Sequence, residues 1–271
     1  FNPQSKTRKA NISWMYHSIH NATSMMPTSR QITLPQPLPG MNTMGVICYD
    51  FVAQLLSLLQ DKSLMTEKNL LLDPKDPLAM FKPADGKLGE ALSGSMYREM
   101  YKALVTDPTR QLLVPLATYI DGTTIDTLSR FVVEPYTFVP LIFNYKRRCR
   151  ADIWRPFGYV EQLNSKVTST EHKLTGAHKV RNYHAQLSGM VEGLRNVQTG
   201  QDPRLRDVEI YLFGKVIRVH VICPILFISA DTPAADKLCS HFPNFAGIIR
   251  RPTCACDINV QAMDDPYHNC I

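Results

Sequence analysis

Two long β-type runs in this chain each stop on an aspartate, and the two stops lie far apart in sequence. The first run, Leu112–Ile120, ends in Asp121-Gly122-Thr123; the second, Val216–Ser229, ends in Ala230-Asp231-Thr232-Pro233. Runs this apolar and this rich in β-branched residues have to be covered within a sheet. The second carries Arg218, His220 and Pro224, so it reads as a buried strand or as two strands end to end. It falls short of the roughly 18–20 uninterrupted apolar residues of a membrane span. Two strands that deliver carboxylates to one sheet edge meet the main demand of a two-metal phosphoryl-transfer site, whose cations lie about 3.5–4 Å apart. A plainer reading stands beside it. Asp-Gly between apolar runs is a hairpin signal, because the turn needs φ > 0. Asp231-Thr-Pro also reads as a helix start, with Asp231 or Thr232 as N-cap and Pro233 in the first turn.

The rest of the chain sets these runs in an α/β or α+β layout with a helical front. Residues 1–45 are polar, Met-rich and broken by Leu34-Pro-Gln-Pro-Leu-Pro39, which predicts an extended or disordered lead-in. Ile47, Phe51, Val52, Leu55, Leu56 and Leu59 recur at helical spacing over 46–60. A second helical pattern over 87–105 puts Leu92, Met96, Met100 and Leu104 on one face and stops at Asp107-Pro108. Phe131–Phe143 predicts one or two further strands. Residues 177–198 predict a helix with Tyr183, Leu187, Val191 and Leu194 on one stripe, and Ile210–Phe213, Gly214-Lys215 and Val216 onward read as a hairpin. The expected division is an N-terminal lead-in and helical region over 1–85 and a core over 86–271.

Charge and cysteine usage narrow the partners. The net charge of +6 matters less than its distribution. Lys146, Arg147, Arg148 and Arg150 form one dense run and Arg250-Arg251 another, and such clusters attract polyanions through counterion release. A solvated loop explains short basic runs as well. Seven cysteines and no cleavable signal sequence point to a reducing compartment. The opening Phe1 suggests that a segment precedes it. Over 239–270, Cys239, His241, Cys254 and Cys256 could form a tetrahedral zinc site, with His268 and Cys270 as substitutes. Single-residue spacing within each pair leaves free thiols as the equal alternative. Glu134, before Pro135, could point into a site but is expected rather in a surface salt bridge, Trp154 is expected in the core, and His184 as a hydrogen-bonded helix residue.

In order along the chain, Asp121-Gly-Thr-x-x-Asp126, Glu134-Pro-x-x-Phe138, Ile142-Phe-Asn144, Arg147 and Trp154-Arg-Pro-x-Gly-Tyr159 resemble the first block of transposases in the CACTA/Plavaka group. The helix with Asn182-Tyr-His184 resembles the next block. Ile228-Ser-Ala-Asp231-Thr-Pro233 and Arg251-Pro-Thr-Cys254-Ala-Cys256 resemble the second-aspartate block and its trailing cysteine pair. The resemblance covers about residues 87–258. It implies an RNase H-like core of the DDE/D type: a mixed sheet with flanking helices, preceded by a helical N-terminal region. Asp121 and Asp231 would be the catalytic carboxylates, holding Mg²⁺ or Mn²⁺ for DNA cleavage and strand transfer. Zinc on the cysteine-rich segment would be structural. The implied partner is double-stranded DNA, as transposon ends and target, without a membrane; homo-oligomerisation is left open. Nuclear action would follow for a eukaryotic transposase. Ala-Asp-Thr-Pro replaces the group's Asn-Asp-Phe-Pro, Cys-x-Cys replaces Cys-x-x-Cys, and the third acid is expected on a helix beyond Ile271. An inactive or domesticated relative that binds DNA or protein is therefore the alternative, and a zinc-stabilised scaffold is a third.

Overall fold

The structure is a computed structural model that describes residues 26–38, 41–83, 89–120, 122–124, 132–161, 176–230, 234–235 and 238. It is a mixed α/β protein. The two aspartate-terminated runs are each two strands end to end. The first comprises β3 (Gln111–Leu113) and β4 (Leu116–Ile120); the second, β9 (Lys215–Ile222) and β10 (Ile225–Ala230). Pro115 and Pro224 mark the two breaks, as a residue without an amide donor would. The runs nevertheless stay side by side. β3 pairs with β9 and β4 with β10, both parallel. Across the break, the Val114 amide donates to the Ile222 carbonyl and the Leu116 amide to the Pro224 carbonyl, both at 2.8 Å.

β3 and β9 belong to a small sheet completed by β8 (Val208–Leu212), in the order β3-β9-β8. The β8–β9 connection is the expected hairpin. Its two central residues, Phe213 and Gly214, have φ of 48° and 84°, the double positive φ that a tight hairpin turn demands. β4 and β10 lie in the larger sheet with β1 (Thr28–Leu38), β2 (Met41–Cys48), β6 (Val132–Pro140) and β7 (Arg155–Glu161). Its order is β1-β2-β7-β6-β4-β10, with the short β5 (Thr123–Thr124) also on β6. All of its pairings are antiparallel except β4–β10.

The front of the chain departs from expectation. In place of an extended or disordered lead-in, the described N-terminal residues begin with the β1–β2 hairpin, and β2 pairs with β7. Met44, Val46 and Cys48 are buried while Thr43, Gly45 and Ile47 face outward, the period of two that defines a half-covered strand. Ile47 thus belongs to β2. The helix begins later, at α1 (Phe51–Leu59), where Asp50 accepts from the Ala53 amide at 3.1 Å as N-cap. Gly158 of β7 is required where the strands meet: a Cβ there would lie 2.2 Å from the Ile47 carbonyl oxygen and 2.8 Å from the Met190 side chain.

The second helical pattern also shifts. A 3-10 turn over Ala91–Ser93 precedes α2 (Ser95–Leu104), whose buried residue is Tyr97. Leu92 is buried and Met100 packs on the second core cluster, but Met96 is 57% and Leu104 40% exposed, so only half of the stripe read from the sequence is covered. The long C-terminal helical pattern is present but divided at Val191 into α4 (Gly176–Met190) and α5 (Glu192–Gln198). Tyr183, Leu187, Val191 and Leu194 all pack on the main core, as the stripe predicts. Phe51, Tyr136, Phe138 and Phe157 form the aromatic centre of that core, with ring centroids 4.7–5.6 Å apart. Among the described residues, no helix is long and apolar enough to cross a membrane.

Candidate functional site

The edge of the large sheet where β4 and β10 end is the place to which the two apolar runs lead. Ile120 and Ala230 are register partners there, as are Tyr119 and Ser229 before them. Asp121 and Asp231 are the next residues along each strand; both, with Asp126, lie outside the described residues. At β4 one face of this edge is closed by the core, while on β10 Ile228, the register partner of Thr118, is 56% exposed. Thr118 and Ile120 are fully buried, and the Thr118 and Tyr136 hydroxyls share a hydrogen bond of 3.2 Å. Burial raises the Tyr136 phenol above its ordinary value, partly offset by that bond. The other face is open: Tyr119 is 39% exposed, and Phe227 and Ser229 are also exposed. Thr137 on β6 donates to the Tyr119 carbonyl at 3.3 Å and holds the open side in register.

Glu134 sits on β6 between the rungs Tyr136–Ile120 and Val133–Thr123, beside the carboxyl end of β4. It is 1% exposed, not on the surface where a salt bridge was expected. Strand alternation accounts for this, since Glu134 shares the inward face of Tyr136 and Phe138. Trp154 packs against the core and donates its indole N–H to the Arg148 carbonyl at 2.9 Å. His184 lies on α4, its ring tilted 47° to that of Tyr183 with centroids 6.0 Å apart.

The basic run folds as a one-turn helix, α3 (Tyr145–Arg148), capped by the Asn144 side chain, which accepts from the Arg147 amide. Its four cations are not equivalent. Arg147 is committed to Asp152 at 2.6 Å, with side chains 12% and 28% exposed. Arg148 pairs with Glu90, and both side chains are largely covered. Arg150 is 65% exposed and reaches Asp152 only at 3.7 Å. Lys146 is exposed and makes no ion pair among the described residues. Two arginines therefore brace the turn and two cations face solvent. Arg155, next on β7, is held by Ser57 at 3.1 Å and by the Asp152 carbonyl at 2.7 Å. Its burial lowers the guanidinium from its ordinary value, opposed by Asp152.

Beside α3 opens a cleft of about 780 Å³, between the turn at 144–150 and the loop at 63–69. Lys68 and Thr66 line it from the loop side. These two and Glu90 went unnoticed in the sequence, since only the fold brings residues so distant in the chain to one wall. Asp152, five residues from Arg147, was the one local sign that part of the basic run is internally neutralised. The other sequence-predicted ligands, Cys239, His241, Cys254, Cys256, Arg250 and Arg251, lie outside the described residues. Comparison of the chain with protein-family models, with curated proteins and with solved structures finds no match.

Proposed function

We propose that this chain carries the catalytic core of a cut-and-paste DNA transposase, RNase H-like in fold, that cleaves DNA and transfers strands with divalent metal. The observation that supports it is the parallel register of Ile120 with Ala230. Neighbouring strands lie about 4.7–4.9 Å apart. Each partner is followed at once by an aspartate, Asp121 or Asp231. Two aspartates expected at separate strand ends therefore follow, in sequence, directly on a pair of register partners. The reading asks for a later strand lying beside the first in a mixed sheet with helices packed on it, and β10 beside β4 meets that demand.

Asp121 and Asp231 would hold Mg²⁺ or Mn²⁺, which supplies Lewis-acid activation of the attacking oxygen and neutralises charge on the phosphoryl group. The chain itself supplies the frame. Thr118, Tyr136 and the aromatic core fix the strand end from behind, while the Tyr119–Ser229 side stays open to a large substrate. Duplex DNA would be met by cations, with Lys146 and Arg150 exposed on the turn and Arg250 and Arg251 further along the chain. Zinc on Cys239, His241, Cys254 and Cys256 would be structural, and the site of action would be the nucleus in a eukaryote.

Calorimetric titration with Mn²⁺ tests the proposal directly. Asp121→Asn and Asp231→Asn should each abolish binding while far-UV circular dichroism and the unfolding midpoint stay unchanged. Undiminished Mn²⁺ affinity in both variants overturns the catalytic reading and leaves a chain that keeps the fold as a binding module.

A further inference from the structure

We infer that the cleft between α3 and the 63–69 loop binds an unpaired stretch of nucleic acid, gripping its phosphodiester backbone and stacking one base on Tyr145. The inference deepens the DNA-binding part of the proposed function and rests on it, but it needs neither aspartate.

The cleft is built, not incidental. Its two walls are tied by backbone and side chain: the Asn144 amide donates to the Asn69 carbonyl, and the Asn144 carboxamide to the Lys68 carbonyl, at 2.8 and 2.7 Å. Asn69 in turn donates to the Ser63 and Leu64 carbonyls and to the Thr66 hydroxyl at 3.0–3.1 Å. Loop and turn therefore present fixed groups to whatever enters, and little ordering cost falls on binding. At about 780 Å³ the space lies within the roughly 300–1,000 Å³ typical of ligand sites.

Its chemistry is that of a polyanion site. Among the described residues, Lys68, Lys146, Arg147 and Arg150 line it against a single carboxylate, Glu90. Glu90 is already engaged, pairing with Arg148 and accepting from the Tyr145 amide at 3.0 Å. Arg147 is likewise engaged by Asp152. The cations that remain for a ligand are Lys68, Lys146 and Arg150, all exposed. Thr66 accepts from Asn69 and keeps its own O–H to donate to a phosphate oxygen.

What separates an unpaired strand from a duplex or a free anion is Tyr145. Its ring is 66% exposed at the start of α3, set among Lys68, Lys146 and Arg150 on the cleft wall. An exposed aromatic face among backbone-binding cations is the arrangement by which single strands are held without sequence readout. Bases paired within a duplex offer no free face for it.

The test is fluorescence anisotropy with a labelled oligothymidylate of twelve residues in EDTA, so that no metal chemistry contributes. Tyr145→Ala should weaken binding about tenfold while Tyr145→Phe leaves it nearly unchanged. Lys68→Ala, Lys146→Ala and Arg150→Ala should each weaken it and lower the salt slope by about one unit or less. Prehybridised duplex of the same length should lose the Tyr145 dependence. All four side chains are exposed, so the variants fold, as circular dichroism would check. Unchanged affinity in Tyr145→Ala and in the Lys146→Ala/Arg150→Ala pair overturns the inference, as does complete competition by millimolar inorganic phosphate. A chain that binds the oligonucleotide this way yet takes up no Mn²⁺ would retain the cleft and lose the catalytic reading. A chain that binds Mn²⁺ but shows no cleft dependence would do the reverse.

Discussion

Asn182 and Gln36 are joined by two hydrogen bonds: the Gln36 amide donates to the Asn182 carboxamide oxygen at 3.0 Å, and the carboxamide nitrogen donates to the Gln36 carbonyl at 2.8 Å. Asn182 is fully buried on α4, and Gln36 sits where β1 has left the ladder with β2, between the paired residues Thr33 and Leu38. The side chain thus satisfies both backbone groups of a residue that has no strand partner.

Replacing Asn182 with Ala should therefore cost about 2–3 kcal/mol, since one donor and one acceptor lose their partners in a covered setting. Urea denaturation would give the loss, and hydrogen exchange should show the Gln36 amide opening well before the β6–β7 amides.

Gly158→Ala should be more damaging than its small volume suggests. The added methyl meets backbone, the Ile47 carbonyl oxygen at 2.2 Å, and backbone cannot rotate away. A destabilisation of about 3 kcal/mol is expected, from forcing β2 off β7. A thermal midpoint close to that of the parent chain would show that the two strands meet less tightly.

Arg204 joins two carboxylates, donating to Asp50 and to Asp202, both at 2.6 Å. Burial works against the charge on Asp50, yet hydrogen bonds from Arg204 and the Ala53 amide hold its carboxyl below the usual value. The Arg204 hydrogen bond is the main cause of the same shift at Asp202. Groups with depressed folded values stabilise the protein above their unfolded value, near ~3.9, and lose that contribution as pH falls through the folded one. Arg204→Gln should cost at most about 1 kcal/mol at neutral pH, because the network is half open to water. The difference from the parent should vanish in strong acid, which denaturant midpoints across pH would check.

Cysteine reactivity should follow burial. The Cys223 thiol is pushed up to about 12 by burial alone, so the nucleophilic thiolate is absent at neutral pH. Cys48 is also buried, whereas Cys149 is exposed. Iodoacetamide should label Cys149 in the native protein and reach Cys48 and Cys223 only after guanidinium is added, as peptide mass spectrometry would resolve.

What the sequence made legible follows the strength of local periodicity. The β8–β9 hairpin announced itself through Gly214-Lys215, although the turn falls one residue earlier, at Phe213-Gly214, and the stripe from Tyr183 to Leu194 marked the face that α4 and α5 bury. Pro115 and Pro224 were visible, but only the parallel ladder shows that both runs change sheet at the same level. β1 was misread because Pro35 and Pro37 look like a lead-in, whereas an edge strand tolerates them. In the basic run, composition could not separate bracing from solvent-facing cations. That distinction depends on Glu90, which is 58 residues from Arg148 in sequence, and on Asp152.

The same two prolines bear on how this sheet behaves at high concentration. β1 forms one border of the seven-stranded sheet, and a bare border is a template on which another chain can add a strand. Pro35 and Pro37 remove two amide donors from it, and Asn182 occupies both the donor and the acceptor of the residue between them. Over that stretch the border offers an incoming backbone no free amide donor, so edge-to-edge addition of a strand is disfavoured there.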